Sequence, residues 1–130
     1  MTASNKDRVL PPCPDSPNCV SSQSSEKRHR IEPLAFQGAS EAAFAELGYI
    51  VRSIKRTKIV EETGTYLHAE SKSALFGFVD DVEFLLDEKN RLIHVRSAAR
   101  TGYWDLGVNR KRIERIREAF DEKRNSGPSD

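Results

Sequence analysis

The sequence has no long apolar segment. No run reaches the roughly 18 apolar residues that a membrane-spanning helix needs. The first ten residues, MTASNKDRVL, lack the apolar core of a signal peptide. LPPC, at Leu10 to Cys13, has neither the small residue nor the preceding hydrophobic stretch of a lipoprotein cleavage site. We therefore expect a soluble protein with no transmembrane segment and a cytoplasmic location.

The sequence also has little net charge. It holds 21 basic and 20 acidic residues, a formal charge of +1, which disfavours a general nucleic-acid binder. Only 37% of the residues are hydrophobic and 32% are charged, so polar ends and loops are expected. A chain of 130 residues can nevertheless bury the core of one domain without metal or disulfide staples.

Residues 1 to about 30 are rich in proline, serine and charge and show no apolar periodicity, so they predict an extended strap. We expect a flexible N terminus over residues 1–12, a single domain over 13–123 and a disordered tail over 124–130.

Two helices are predicted. Ser40 is a plausible N-cap for the first, which runs to about Ile54 and could end or bend at Gly48. Its buried stripe is predicted from helical spacing, as Ala43, Leu47, Ile50, Val51 and Ile54. The second helix runs from about Asn109 to Lys123, with Ile113, Ile116 and Phe120 on one face.

Between the helices the pattern alternates with a period of two. KIVEE, TYLHAES, FVDDVEFLLD and RLIHVRS predict four strands joined by short polar links, which permit hairpins and exclude parallel crossovers. The predicted fold is α+β: an antiparallel four-stranded meander, with the N-terminal and C-terminal helices packed on one face and an extended N-terminal strap.

Alternation assigns the strand residues to two faces. The core face holds Leu67, Ala69, Val82, Phe84, Leu86, Ile93 and Val95. The opposite face holds His68, Glu70, Asp81, Glu83, His94 and Arg96. This polar face favours a solvated surface laced with ion pairs, since antiparallel sheets commonly expose one side. A pocket for acid–base chemistry is the alternative.

Asp80 has the parity of the core face, so its carboxylate needs a partner, most economically an arginine. The segment HVRSAARTGYWDLGVNRKR, His94 to Arg112, is the expected source. Within it the basic run from Arg110 to Arg112 opens a helix, where the macrodipole disfavours cations. The run therefore indicates a pairing network with Asp80, Asp81 and Asp105, an anion site, or, least favoured, contact with nucleic acid.

Three strings together resemble a known family. CPDSPNCVSSQ, SALFGFVDDVEF and VRSAARTGYWDLGVNRKRIERIR, in this order and spacing, resemble the bacterial and plastid family called domain of unknown function 1499, from about Cys13 to Phe120. The resemblance implies no activity. The sequence departs from the family pattern at Ser71–Lys72 and at Trp104. Its signature positions are Pro17, Asn18, Cys19, Ser21, Ser22, Phe76, Asp80, Asp81, Arg96, Ser97, Arg100, Gly102, Tyr103, Asp105, Gly107, Asn109 and Arg110.

The two cysteines leave several interpretations. Cys13 and Cys19 are spaced too widely for the usual zinc pair, and no histidine sits at a recognised spacing, so no metal is predicted. A disulfide is plausible in exported relatives but not expected in a reducing cytosol. A catalytic Cys19 would need a base that no local signature provides. We favour small loop residues, with Asn18 and the serines bonding the backbone of the strap.

The leading hypothesis is a non-enzymatic binding or accessory module with no cofactor. Its ligand would be an anionic small molecule or an acidic protein partner. The alternative is a small hydrolase or transferase using Cys19, or Asp80 and Asp81, with a histidine. The candidate binding residues are Asn18, Cys19, Ser21, Ser22, Asp80, Asp81, Arg96, Ser97, Arg100, Tyr103, Asp105, Asn109 and Arg110.

Overall fold

A computed structural model describes residues 9–125. In chain order the elements are β1 (Cys19–Ser21), β2 (Leu34–Ala35), α1 (Ser40–Arg52), β3 (Thr57–Glu62), β4 (Tyr66–Lys72), β5 (Val79–Asp87), β6 (Leu92–Ala99) and α2 (Val108–Asn125). The fold is α+β, as predicted, with one antiparallel sheet and two helices.

The predicted meander forms the middle of the sheet, but the predicted count of four strands is wrong. Strands β3 to β6 lie side by side in chain order, and the short β1 and β2 both pair with the outer edge of β6. The N-terminal strap is thus partly an edge strand. Segments of three and two residues are too short to show a period-two pattern, so the sequence gives no signal for them.

The core lies between one face of the sheet and the two helices. Its buried cluster contains every residue predicted for the core face of the strands, as well as residues of α1 and α2. Val20 and Leu34 from the short strands join the same cluster. The alternation within β4, β5 and β6 therefore identified the buried face correctly, because a shift of one residue would have exposed the whole apolar set.

The helix boundaries differ slightly from the predicted ones. Ala39, not Ser40, is the N-cap of α1, and Ser40 is the first helical residue, buried and without a capping bond. α1 continues through Gly48 and ends at Arg52. A Cβ atom at Gly48 would lie 3.0 Å from the guanidinium of Arg52, which pairs with Glu62, so glycine leaves room for this ion pair.

The ends of the described chain bear on two further predictions. Leu10 is buried against Tyr66 and Leu85 on the polar side of the sheet, and the first eight residues of the expected flexible N terminus lie outside the described residues. Arg124 and Asn125, expected to begin the tail, continue α2, while residues 126–130 also lie outside the described part. Neither α1 nor α2 has the length and apolarity to cross a membrane.

Candidate functional site

Asp80 points to the core side of the sheet and pairs with an arginine, as predicted. Its Oδ2 atom accepts a hydrogen bond of 2.7 Å from Nη2 of Arg112. The other terminal nitrogen of Arg112 donates to Ser97 Oγ at 3.0 Å and to Asn109 Oδ1 at 2.7 Å. Ser97 and Asn109 are fully buried. Arg112 therefore connects β5, β6 and α2 through one cluster of polar side chains on the core side of the sheet.

The strap is attached to this cluster through Asn18. The Nδ2 atom of Asn109 donates to the carbonyl oxygen of Asn18 at 3.3 Å, and Nδ2 of Asn18 donates to the carbonyl oxygen of Gly102 at 2.7 Å. Asn18 is itself buried. The prediction that Asn18 bonds the strap in place is confirmed, because both its backbone and its side chain hold the last strand and the last helix together.

Asp105 caps the beginning of α2. Its carboxylate accepts hydrogen bonds from the backbone N–H groups of Gly107, at 2.8 Å, and Asn109, at 3.1 Å. Burial raises the pKa of Asp105, but these bonds and one from the Asn109 side chain outweigh it and hold the pKa below its usual value. This capping carboxylate offsets the unfavourable position of the basic residues in the first turns of α2.

Asp81 lies on the opposite face of the sheet from Asp80 and belongs to a separate network. Arg100 donates to both of its carboxylate oxygens, at 3.0 and 2.7 Å, and also to Glu70 at 2.9 Å. His68 Nε2 lies 2.9 Å from Asp81 Oδ1. The bonds from Arg100 chiefly, opposed by burial and supported by His68, lower the pKa of Asp81. The ion pairs expected on this face are therefore present.

A second group on the polar face is covered by the N-terminal segment. Glu83 accepts hydrogen bonds from Tyr66, at 2.5 Å, and from Arg96, at 3.4 Å. Arg96 also donates to the carbonyl oxygen of Pro12 at 3.2 Å. Because residues 9–13 lie over this row, Glu83 is only 8% exposed. The polar face was expected to be solvated, but the N-terminal segment covers part of it.

The covering segment is held by a disulfide, which corrects our interpretation of the cysteines. Cys13 and Cys19 are bonded to each other and are not free loop residues. The bond joins residues 9–13 to the edge strand β1. Two sulfurs only six positions apart can meet because the proline-rich chain between them turns back, a feature that residue spacing does not reveal. Cys19 in this form has no thiol to act as a nucleophile.

Three arginines of α2 bond to the end of the strap and to the residues that follow it, up to residue 37. Arg110 donates to the carbonyl oxygens of residues 28 and 30, Arg117 to those of residues 32 and 33, and Arg124 to that of residue 37. They are seven residues apart in sequence and so share one helix face. Arg110, predicted as an anion ligand, therefore has backbone carbonyl groups as its partners.

One serine–histidine–aspartate arrangement was not foreseen. Ser22 Oγ lies 3.2 Å from His94 Nδ1, and His94 Nε2 lies 3.3 Å from Asp87 Oδ2. The hydroxyl of Ser22, however, is buried and accepts a bond from the backbone N–H of Val95 at 2.9 Å. A nucleophile needs access to a substrate. The geometry therefore fits a role in attaching β1 to β6.

The remaining predicted residues are distributed around these networks. Ser21 accepts a bond from the backbone N–H of Gln23 at 3.1 Å. Tyr103 is exposed, and its ring packs edge-on against Trp104 with 5.1 Å between centroids. The thirteen candidate residues thus do not line one pocket. Asn18, Ser97 and Asn109 form one buried group with the partly exposed Asp80 and Asp105, whereas Asp81, Arg96 and Arg100 lie across the sheet.

A basic pocket was missed by the sequence analysis. It lies between the end of α1 and the turn that follows it, the end of β4, and the first turns of α2, and has a volume of about 420 Å³. Lys55, Arg56, Lys72 and Arg115 line it, together with the Arg112–Asp80 pair. Within residues 9–125, no carboxylate forms an ion pair with Lys55, Lys72 or Arg115. The pocket therefore presents cations that internal pairing leaves available.

These cations come from three separate elements, so no local motif could have revealed them. Arg56 has a left-handed backbone, with φ of 56°. Its carbonyl oxygen accepts a bond from the backbone N–H of Lys72 at 2.9 Å, and its Nε donates to the carbonyl oxygen of Lys72 at 3.3 Å, which brings the turn after α1 against the end of β4. In the described part of the chain, no cluster of three His, Cys, Asp or Glu side chains could hold a metal ion.

Comparison with known families agrees with the resemblance found in the sequence. Residues 9–120 match the family described as protein of unknown function DUF1499. Because this match spans most of the 130 residues, the chain belongs to the DUF1499 family. A comparison with curated proteins finds no match.

Proposed function

We propose that this member of the DUF1499 family is a non-enzymatic binding module whose ligand is an anionic group bound in the basic pocket. The observation that carries the proposal is the set of cations without carboxylate partners, Lys55, Lys72 and Arg115, around one concavity. A phosphate-like anion would replace the missing partners, because cationic side chains converging on a pocket favour charge-assisted hydrogen bonds.

The internal pairing of the other arginines supports this location over the predicted one. Arg100 is saturated by two carboxylates, and Arg110 by backbone carbonyl groups. An anion at either place would have to displace these partners. Among the described residues that line the basic pocket, only Asp80 contributes a carboxylate, and Arg112 already neutralises it. The candidate binding residues predicted from sequence would then stabilise the fold, and the basic pocket would bind the anion.

The enzymatic alternative has less support from the same geometry. Cys19 is bonded to Cys13, and Asp80 pairs with an arginine, with no histidine among its hydrogen-bond partners. Asp81 does contact His68, but both oxygens of Asp81 are also held by Arg100. A carboxylate engaged in this way is a weak general base, since its arginine partner stabilises the deprotonated form.

Thermal unfolding with inorganic phosphate tests the proposal. Phosphate is expected to raise the Tm more than chloride does at equal ionic strength, because only the bound anion stabilises the folded state. If the site binds phosphate with a Kd of about 1 mM, about 100 mM phosphate would add about 2.7 kcal/mol.

A matched pair of variants separates site binding from general charge effects. Lys55→Ala/Lys72→Ala is expected to abolish the phosphate response. Lys27→Ala/Lys89→Ala removes the same charge from exposed positions outside the pocket and is expected to retain it. Equal responses to phosphate and chloride in the unmodified protein, or equal losses in the two variants, would show that no anion site exists here.

A further inference from the structure

Two neighbouring loops carry most of the exposed apolar surface. Residues 73–78 connect β4 to β5, and residues 100–107 connect β6 to α2. Ten large apolar side chains are exposed in residues 9–125, and seven of them belong to these loops or directly follow them: Leu75, Phe76, Phe78, Tyr103, Trp104, Leu106 and Val108. Such a concentration differs from the isolated exposed apolar residues that any protein surface contains.

The loops leave the sheet at the same end. Lys72 at the end of β4 pairs with Val79 at the start of β5, and Asp80 pairs with Ala99 at the end of β6. The backbone N–H of Arg100 also donates to the carbonyl oxygen of Val79 at 3.0 Å. The bases of the two loops are therefore adjacent, and the apolar tips, defined here as residues 75–78 and 103–106, extend from the same end of the sheet.

The tips are well away from the core. Leu75 is 81% exposed, Trp104 is 74% exposed and Leu106 is 86% exposed. The aromatic residues contact one another instead, since the Phe76 and Phe78 rings stack with 5.6 Å between centroids. Leu106 also has a left-handed backbone, with φ of 55°, an unfavourable conformation for a branched apolar residue. No gain in burial within the described chain explains an exposed leucine there.

Cations lie directly behind the apolar tips. The basic pocket is lined both by Ser73, the first residue of one loop, and by Val108, the residue that follows the other. Its lysines and arginines therefore sit at the base of the two loops. The nearby carboxylates have internal partners: Asp80 pairs with Arg112, Asp81 pairs with Arg100, and Asp105 accepts hydrogen bonds from backbone N–H groups at the start of α2.

We propose that this end of the protein docks onto an anionic membrane surface, with the apolar tips entering the interface and the basic pocket holding a lipid phosphate. The proposal rests on the proposed function, because it names the source of the anion. Tryptophan and tyrosine favour the membrane–water interface, and peripheral binding combines apolar burial with attraction of basic residues to acidic lipids. Two apolar tips with a cationic site at the base of their loops match this layering.

Trp104 gives a direct measurement, because it is the only tryptophan in the chain. With vesicles of phosphatidylcholine mixed with phosphatidylglycerol, its fluorescence is expected to shift to shorter wavelength, and the protein is expected to sediment with the vesicles. Vesicles of phosphatidylcholine alone are expected to bind much more weakly. Absence of the shift with the acidic vesicles, or equal binding to both kinds, would overturn the proposal.

Variants at exposed positions separate the tips from the rest of the surface. Leu75→Ser/Phe76→Ser is expected to weaken vesicle binding about tenfold or more, since two apolar side chains no longer enter the interface. Val9→Ser/Val60→Ser removes two other exposed apolar side chains and is expected to bind normally. Equal weakening in the two variants would contradict the assignment of the tips.

The phosphate response distinguishes this proposal from the previous one. The tip variant is expected to keep the increase in Tm with phosphate, whereas Lys55→Ala/Lys72→Ala loses both that increase and the preference for acidic vesicles. A normal phosphate response without vesicle binding would overturn the membrane proposal alone. If the tips instead mediate a dimer, sedimentation would show concentration-dependent self-association that Leu75→Ser/Phe76→Ser abolishes, and that result would also overturn it.

Discussion

Asp80 and Arg112 form an ion pair of 2.7 Å between the start of β5 and the second turn of α2. Only about one sixth of each side chain is exposed, at 15% for Asp80 and 16% for Arg112. The next residue along the strand, Asp81, faces the other side of the sheet and pairs with Arg100, whose side chain is 46% exposed. Asp81 is itself 22% exposed, so the two adjacent aspartates differ chiefly in how exposed their arginine partners are.

This difference predicts unequal effects of two substitutions. Asp80→Ala is expected to lower the free energy of unfolding by about 3 kcal/mol or more, because it leaves Arg112 partly buried without a carboxylate. Asp81→Ala is expected to cost about 1 kcal/mol or less, since water can solvate Arg100. Urea unfolding measures both values. A cost below about 1 kcal/mol for Asp80→Ala, or equal costs for the two, would contradict this account.

The disulfide is expected to stabilise the fold. The bond between Cys13 and Cys19 closes a loop in the unfolded chain and so lowers its conformational entropy, and the loop-entropy model gives about 2 kcal/mol for so short a loop. Unfolding of the oxidised protein is to be compared with that of Cys13→Ser/Cys19→Ser, after thiol titration has established the redox state. If the oxidised protein and the variant unfold at the same urea concentration, the bond contributes nothing to stability.

Arg117 is expected to fix the end of the strap to α2 through two hydrogen bonds that a lysine could not both make. It donates to two successive carbonyl oxygens, those of Pro33 at 2.8 Å and Glu32 at 2.6 Å. Arg117→Lys loses the planar fork that makes both bonds, so amide hydrogen exchange at Ile31 and Phe36 is expected to become faster.

Stability gives a second measurement for the same residue. Arg117→Ala is expected to cost about 1–2 kcal/mol, since two hydrogen bonds from a charged group are lost. Arg115→Ala, on the same helix but with no ion-pair partner in residues 9–125, is the control and is expected to change stability little in phosphate-free buffer. Unchanged exchange in Arg117→Lys would mean that the strap does not depend on these bonds.

Acid is expected to destabilise the protein partly through Asp105. The folded state lowers the pKa of Asp105 below its ordinary value of 3.8. The group therefore binds its proton less tightly in the folded state than in the unfolded state. Its contribution is fully present above the unfolded pKa of 3.8 and is lost as the pH falls below that value and through the folded pKa. Asp81 has the same sign.

The substitution Asp105→Asn tests this assignment, because asparagine can still cap a helix but does not titrate. The free energy of unfolding of this variant is expected to fall less steeply with decreasing pH than that of the unmodified protein. Asp121→Asn, at an exposed position on α2, controls for the change in net charge. Identical slopes in the three proteins would exclude Asp105 as a source of the acid sensitivity.

Much of the fold follows from local pattern, whereas the site does not. Alternation placed Phe84 and Val95 in the core and Glu83 on the opposite face, because side-chain direction in a strand depends only on parity. The same parity argument identified Asp80 as a carboxylate in need of an arginine. It could not select Arg112 over its neighbours, since that choice depends on how α2 packs against the sheet.

The disulfide and the short edge strands were beyond any local pattern. Cys13 and Cys19 meet only because the strap turns back along the polar face, and β1 exists only because β6 has an unpaired edge. The basic pocket has the same origin, as Lys55 and Arg115 are distant in sequence and are brought together by packing of the two helices. Sequence reasoning identified cations but not which of them internal partners would occupy.

The sequence by itself determined the order of the two helices and the four longer strands, the buried face of the meander and the need to neutralise Asp80, because these depend on neighbouring residues and on burial. Tertiary structure decided which guanidinium groups bond internally and which cations stay available. It also decided where the apolar loops emerge, because β5 pairs with both β4 and β6 and so brings the starts of the two loops to one end of the sheet. Pairing between distant residues is a property of packing, and one linear pattern does not encode it.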